Sequence, residues 1–365
     1  MRNLVILIVV CVVGIIGYLE KIWANRCLRH LRYGSSYDKM VVEPNEVVTQ
    51  TSYLQNNWRF PVLYARLLEA LPQGVKIEES EDFIRKNTSR AVTETVTNFG
   101  MYVMPHSRCS VKMRFSYNKR GEYKKTEYKV EAGDFLGFSS KILAGKCDQS
   151  VVVMPYPTSD PVALKMLGGF MGDLSAKRFI HEDPVLTVGY REYSGREPMK
   201  SISWTQTART GQLQVKQYDH TMDCNVVLVL NVDRGSREEI EACFEITRTA
   251  CEELEKKHTP YEFFTNGDIY GPLGNLSWLE EGLGYQHFSM LMYGLGQSEC
   301  KSLDSLENLL NRVYKRKRSE KNYILITVPL SEKDHRTVER LKRLCEQDVC
   351  VLESNGEMWT QGGEA

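Results

Sequence analysis

Ten cysteines and seven histidines are the side chains with the most chemistry to offer, and their spacing offers little. The cysteines stand at 11, 27, 109, 147, 224, 243, 251, 300, 345 and 350, without a C-x-x-C pair or a tight framework. Cys224, Cys243 and Cys350 fall in apolar runs, where a reduced thiol behaves as a small hydrophobe. None lies in a glycine-rich or helix-start setting that would favour the thiolate. A reducing compartment fits this usage better than a disulfide scaffold. The histidines share no metal-ligand spacing, and His181-Glu182 runs into Asp183-Pro184, which would break a helix. Gly145-Lys146 lacks the upstream glycine of a phosphate loop and is followed by Cys147 where a hydroxyl residue should stand. No G-x-S-x-G elbow occurs. The sequence therefore predicts no catalytic residue, no cofactor and no small-molecule substrate. The enzymatic alternative is a cysteine-dependent hydrolase that uses a β-rich region as its substrate platform.

Two stretches carry more information. Residues 189–219, GYREYSGREPMKSISWTQTARTGQLQVKQYD, are dense in Arg, Lys and aromatic residues, with Trp204 between polar neighbours. They read either as an edge strand with a solvated basic face or as a docking or packing element, with Trp204 as a buried anchor between two halves of the chain. The second stretch is Asp233-Arg234-Gly235-Ser236, at the end of the apolar run 224–232. Ligands of open α/β sheets bind beyond the carboxyl ends of strands, and a carboxylate there can help to hold a hard divalent cation. Ser236 reads instead as an N-cap, with Glu238 and Glu239 at the positive end of the helix that follows. Asp233 and Ser236 are the only metal candidates.

The elements that would position these residues follow from periodicity. At 365 residues the chain is long enough for about two domains, and a 42% hydrophobic content supplies real cores. Forty-seven basic residues balance forty-seven acidic ones, so no chain-wide footprint for nucleic acid exists. Residues 40–188 alternate polar and apolar in short runs such as KMRFSYN (112–118) and YKKTEYKVEAG (123–133), as sandwich strands do. From 189 to 356 the pattern changes. Continuous apolar strands at 224–232 and 322–330, a short strand at 261–266 and a last one at 349–354 alternate with helices at 237–258, within 278–293, within 302–318 and at 334–347. This alternation predicts an α/β domain with right-handed crossovers. Residues 357–365 form a tail.

The first twenty-three residues read as a transmembrane anchor. Leu4–Leu19 is uncharged, and Lys21, Arg26, Arg29 and Arg32 follow it within a basic linker, 24–39. The positive-inside rule then places the remainder in the cytoplasm, as a single-pass protein of the cell membrane. A signal peptide is the rival, although no A-x-A-like site follows the run.

The string at 191–219, followed by NVVLVLNVD (225–233), resembles the domain of unknown function 58 family. Tyr193, Gly195, Lys200, Ile202, Trp204, Ala208 and Arg209 match that family's motif, and Asp233 its downstream strand end. Arg120-Gly121-Glu122-Tyr123 and Asp134-Phe135-Leu136-Gly137-Phe138 are similar to its upstream elements. The resemblance implies a von Willebrand factor A-like (Rossmann-type) α/β domain behind a β-rich one, a scaffold role in protein binding, and a MoxR-type AAA+ ATPase as partner in assembly or envelope-related work. It also exposes departures. Arg196 replaces an aspartate and Lys200 an arginine. Gly235 and Arg237 stand in the serine places of the family's metal site, and Val328 stands where a further carboxylate is expected. A metal at Asp233 is therefore not expected. An exported adhesin-like binding module is the remaining alternative.

Overall fold

In the computed structural model the described residues are 11, 13–15, 17–18, 26–90, 95–133, 140–180, 183–195, 197–219, 225–271, 274–316, 321–344 and 349–354. The chain divides into two compact units, one of residues 1–156 with Leu295–Gln297, the other of 157–294 with 298–365.

The first unit is built from ten strands. They are β1 (Leu31–Tyr37), β2 (Val41–Val42), β3 (Val48–Asn56), β4 (Val62–Leu71), β5 (Val75–Ile77), β6 (Thr88–Arg90), β7 (Thr95–Val103), β8 (Arg108–Tyr117), β9 (Gly121–Gly133) and β10 (Ser140–Val153), with a short helix α1 (Glu81–Asn87) before β6. They form a four-stranded sheet, β1-β3-β8-β5, and a six-stranded sheet, β2-β10-β9-β4-β7-β6. Strict alternation drives the arrangement: every second residue of β3, from Val48 to Asn56, is buried. Leu54 and Phe115 from one sheet and Leu67 and Val130 from the other share a single core. The inward register also carries charge. The Glu69 carboxylate of β4 lies 2.6 Å from the Lys125 ammonium of β9, and both side chains are about 1% exposed. Tyr33, Ser52 and Gln50 donate to the same carboxylate from the opposite sheet, at 2.7, 2.8 and 2.9 Å. Burial pulls the Lys125 ammonium below its usual range, and attraction to Glu69 opposes that pull.

The second unit opens with α2 (Pro161–Ile180) and continues through β11 (Asp183–Glu192), α3 (Trp204–Thr210), β12 (Gln214–Asp219), β13 (Val226–Asn231), α4 (Arg237–Lys256), β14 (Tyr261–Thr265), β15 (Tyr270–Gly271), β16 (Gly274–Asn275), β17 (Trp278–Gly282), α5 (Tyr285–Gln297), α6 (Leu306–Lys315), β18 (Asn322–Thr327), α7 (Glu332–Leu344) and β19 (Val349–Glu353). Its main sheet runs β17-β14-β13-β18-β19, with only β17 antiparallel. β13, β14 and β18 are buried at every position, because helices cover both faces. Ser236 caps α4 by accepting from the Glu239 N–H, and the Ser236 N–H donates in return to the Glu239 carboxylate, which completes the capping box.

Several expectations are corrected here. The expected class, a von Willebrand factor A-like α/β domain behind a β-rich one and a membrane helix, gives way to a predominantly β chain: nineteen strands in five sheets against seven α-helices among the described residues. Continuous apolar runs report burial on both faces, and they hid the antiparallel pairs β11–β12 and β15–β16 and the edge strand β17, which carry no such run. The segment 278–282 is thus strand, and the helix begins at Tyr285. The α2 helix went unread because Gly168, Gly169 and Gly172 disfavour helix and its apolar residues lack a polar stripe. Among the described residues no helix is long and apolar enough to cross a membrane, so the single-pass placement at the cell membrane with a cytoplasmic globular part is withdrawn. Most of the Leu4–Leu19 run lies outside the described residues.

Two outcomes test this account. Lys125→Met should strand the Glu69 charge and cost about 3–5 kcal/mol, whereas Lys125→Met with Glu69→Leu should cost less than the single change. Chemical denaturation checks it, and additive losses would show that the pair is not coupled. The second concerns Glu245 on α4. Burial, assisted by the Glu241 carboxylate one turn away, pushes its carboxyl up from 4.5 to about 7. Because the folded state prefers the protonated acid, that stabilisation is complete at low pH and is lost as pH rises through about 7. Glu245→Gln should therefore raise stability by about 1–2 kcal/mol at pH 8, after allowance for its partial exposure, and leave it unchanged at pH 4. Melting curves at the two pH values read the difference.

Candidate functional site

The segment between β11 and β12 is a small folded platform. Arg191 pairs with Val215 and Glu192 with Gln214, and the Tyr193 N–H donates to the Leu213 carbonyl at 2.9 Å. The chain then turns through Gly195, whose φ of +86° is a conformation that few other residues adopt cheaply. Glu197 closes this turn. It accepts from the Ser194 hydroxyl at 2.8 Å and pairs with Arg191 at 2.6 Å. Ser194 first, and Arg191 with it, hold the Glu197 carboxyl down to about 2. A 3-10 turn, Met199–Ser201, leads to Ile202, which bridges to Val215, and both are buried. The α3 helix follows at once. It ends at Gly211, and the Thr207 hydroxyl accepts from the Gln214 N–H at 3.0 Å, tying helix to strand.

The seven motif residues therefore divide. Ile202 is the internal anchor and Tyr193 is half-buried, while Gly195, Lys200, Trp204, Ala208 and Arg209 are exposed. Trp204 is 62% exposed, which corrects the expectation of a buried anchor. Its position explains the exposure: it opens a seven-residue helix with no buried residue, and the inward contact of the segment is made two residues earlier by Ile202 against Val215. Trp204 and Ala208, four apart, share one helix face. Tyr190, Met199 and Leu213 are also exposed, at 46%, 66% and 43%. Sequence reasoning missed these three because an exposed apolar side chain has no periodic signature. Arg196 lies outside the described residues.

The carboxyl ends of the parallel strands form the second candidate. Buried Asn231 donates to the Thr327 hydroxyl at 2.8 Å, and its carbonyl oxygen accepts from Asn266 at 2.7 Å and from the Asp233 N–H at 3.2 Å. Asn266 accepts from the Val232 N–H and donates to the Asp304 carbonyl. Asp233 accepts from the Leu306 N–H at the start of α6, at 3.4 Å, and the Arg234 guanidinium stands 3.9 Å away. Ser236 faces its own helix as the cap. Gly235 packs so tightly on Val328 that an added Cβ would overlap that side chain. The place of further oxygen ligands is thus filled by apolar contact. Among the described residues no three His, Cys, Asp or Glu side chains gather as metal ligands.

The thiols bear on the hydrolase alternative. Burial pushes Cys243 up to about 12 and Cys350 to about 11, and it raises Cys147 and Cys251 as well. A thiol held in this way is a poor nucleophile.

No protein-family model matches the chain. Among curated proteins it is similar to the uncharacterized protein YeaD of Bacillus subtilis (strain 168), 21% identical over 283 residues, or 76% of this chain. The chain spans 65% of the length of that relative. Among solved structures, likenesses include the CARDB domain of a Pyrococcus furiosus protein (11% identity, 34% of this chain, 91% of that one, TM-score 0.21). Others are native alpha-2-macroglobulin from Escherichia coli (11%, 34% and 24%, TM-score 0.26) and the GAE domain of GGA2p from Saccharomyces cerevisiae (11%, 33% and 91%, TM-score 0.22).

A metal test follows from the strand-end geometry. Hard divalent cations need several oxygen ligands, and Asp233 beside a guanidinium supplies too few. Titration calorimetry of the chain with Mg²⁺ or Mn²⁺ should find binding no tighter than about millimolar, with little stabilisation by excess metal. Micromolar binding lost in Asp233→Ala would overturn this reading.

Proposed function

We propose that this chain is a non-enzymatic protein-interaction component of the domain of unknown function 58 family, and that it engages a MoxR-type AAA+ ATPase in assembly work. The observation that carries the reading is the exposure of Trp204 on a rigid platform. Aromatic side chains held in place by a scaffold lose little entropy on docking and dominate binding energy. Met199, Leu213 and Tyr190 supply adaptable apolar area around it, and Lys200 and Arg209 give the rim a positive sign. Arg191 is spent on Glu197. An acidic, apolar-centred surface on the partner is the complement. Upward-shifted thiols and self-satisfied strand ends support a binding role over catalysis.

A Trp204→Ser, Met199→Ser variant should weaken binding to a purified MoxR-type ATPase at least about tenfold, because central aromatic anchors commonly act as hot spots. Its melting temperature should move by no more than about 2 °C, as surface substitutions do. Interferometry and calorimetry read the two quantities. Unchanged affinity would remove the platform from the interface, and absence of binding by the unaltered chain would remove the partner.

A further inference from the structure

At one end of the first unit β3 and β7 finish, and β1, β4 and β8 begin. Asn56, fully buried, fastens this end together. Its amide donates to the Phe60 carbonyl at 2.8 Å and to those of Val103 and Met104 at 3.2 Å. Its oxygen accepts from the Trp58 N–H at 2.9 Å. The Asn57 N–H donates to the His30 carbonyl, and the His106 N–H to that of Trp58. The Trp58 ring packs on His30 and on Phe60, with centroids 5.9 and 5.1 Å away. Three chain segments are thereby held as one tip.

That tip is apolar on its outside. Between the pairs Val62–Val103 and Ala65–Met101 a bulge sets Leu63 and Tyr64 against Tyr102 alone. Both bulged residues turn outward, where strict alternation would bury one of them. Phe60, Leu63, Tyr64, Tyr102 and Met104 are all exposed, Met104 by 54% and Tyr102 by 67%. A contiguous apolar patch at a surface marks a contact. Charge says with what. The segments 26–32, 55–66 and 100–110 hold six arginines and no Asp or Glu, in a chain whose charges balance overall. Glu131 on the neighbouring β9 is paired with Arg66. Arg26, Arg29 and Arg59 are exposed, and Arg26 and Arg29 share a face of the helical turn that leads into β1.

Apolar and aromatic side chains rimmed by arginine match the boundary of an anionic bilayer, where acyl chains, headgroups and phosphates succeed one another. A nucleic-acid strand would use the rings and the arginines but gain little from Leu63 and Met104, which offer no stacking face. We propose that this tip docks on an anionic lipid surface. Phe60, Leu63 and Met104 enter the boundary between headgroups and acyl chains, and Tyr64 and Tyr102 lie at headgroup level. Arg26, Arg29 and Arg59 meet the lipid phosphates. The contact is interfacial and requires no spanning helix. It belongs to the first unit and does not rest on the Trp204 platform.

Cosedimentation of the full chain with lipid vesicles tests this, using equal parts phosphatidylcholine and phosphatidylglycerol, or phosphatidylcholine alone. The chain should favour the anionic vesicles at least about tenfold, and less so as salt rises. Each arginine near such a surface contributes about fivefold in affinity, so Arg26→Gln, Arg29→Gln and Arg59→Gln together should cost about a hundredfold. Phe60→Ser with Met104→Ser should cost at least about tenfold through lost apolar burial. Every substituted side chain is exposed, so melting temperatures should move by no more than about 2 °C. Met104→Ser alone repeats the apolar arm without touching the Trp58–Phe60 contact. Equal partition onto the two vesicle types, or unchanged partition in the arginine or the apolar variants, would overturn the proposal. Tighter binding of single-stranded oligothymidine, lost in the arginine variant, would give the surface to nucleic acid instead.

Discussion

The second unit depends on one buried amide. Asn231 ends the central strand and bonds at once to Thr327 on β18, to Asn266 after β14 and to the Asp233 backbone. A buried polar group without partners would cost about 1–3 kcal/mol, so these contacts constrain one another. They lock three parallel strands at one level and draw the Asp304 segment onto them through Asn266. In an open sheet this is where a ligand crevice forms. Here the donors and acceptors that a ligand would use already serve each other, and Val328 against Gly235 closes the remaining space.

That closure moves the interesting surface outward. The platform at 190–213 exposes apolar side chains, Tyr190, Met199, Trp204 and Leu213, that the fold does not use in its own core. The platform is stiff for local reasons: Glu197 fastens the first turn, Ile202 pins the middle and Thr207 ties the helix to β12. Exposure of Trp204 is therefore a property of a well-held element, which suits a docking role.

The first unit shows a different economy. Its two sheets bury a carboxylate and an ammonium in the layer where alternation alone would place apolar side chains. The pair persists because Tyr33, Gln50 and Ser52 reach it from the facing sheet, so both sheets must be in register for the charge to be satisfied. Buried ion pairs seldom add stability against apolar substitutes, but losing one member is costly. The arrangement penalises any slip of β4 or β9.

The sequence by itself determined the strands that are buried on both faces, because a continuous apolar run such as VVLVLN has no other stable place. It also determined the α4 boundary, where Ser236 and Glu239 carry their own capping chemistry. It marked 189–219 as a distinct element. Tertiary structure decided the rest. The strands β11, β12 and β17 owe their state to pairing partners, α2 lies across three glycines on the strength of its packing, and membrane crossing was read from a run whose described residues show no spanning helix. The inward turn of Glu69 and Lys125 depends on Tyr33, Gln50 and Ser52 from 17 to 92 residues away in sequence. The exposure of Trp204 was likewise out of reach of local pattern, because a tryptophan among polar neighbours fits a buried anchor and a surface one equally. Which it becomes is settled by the side chain that takes the inward position, and in this fold Ile202 takes it.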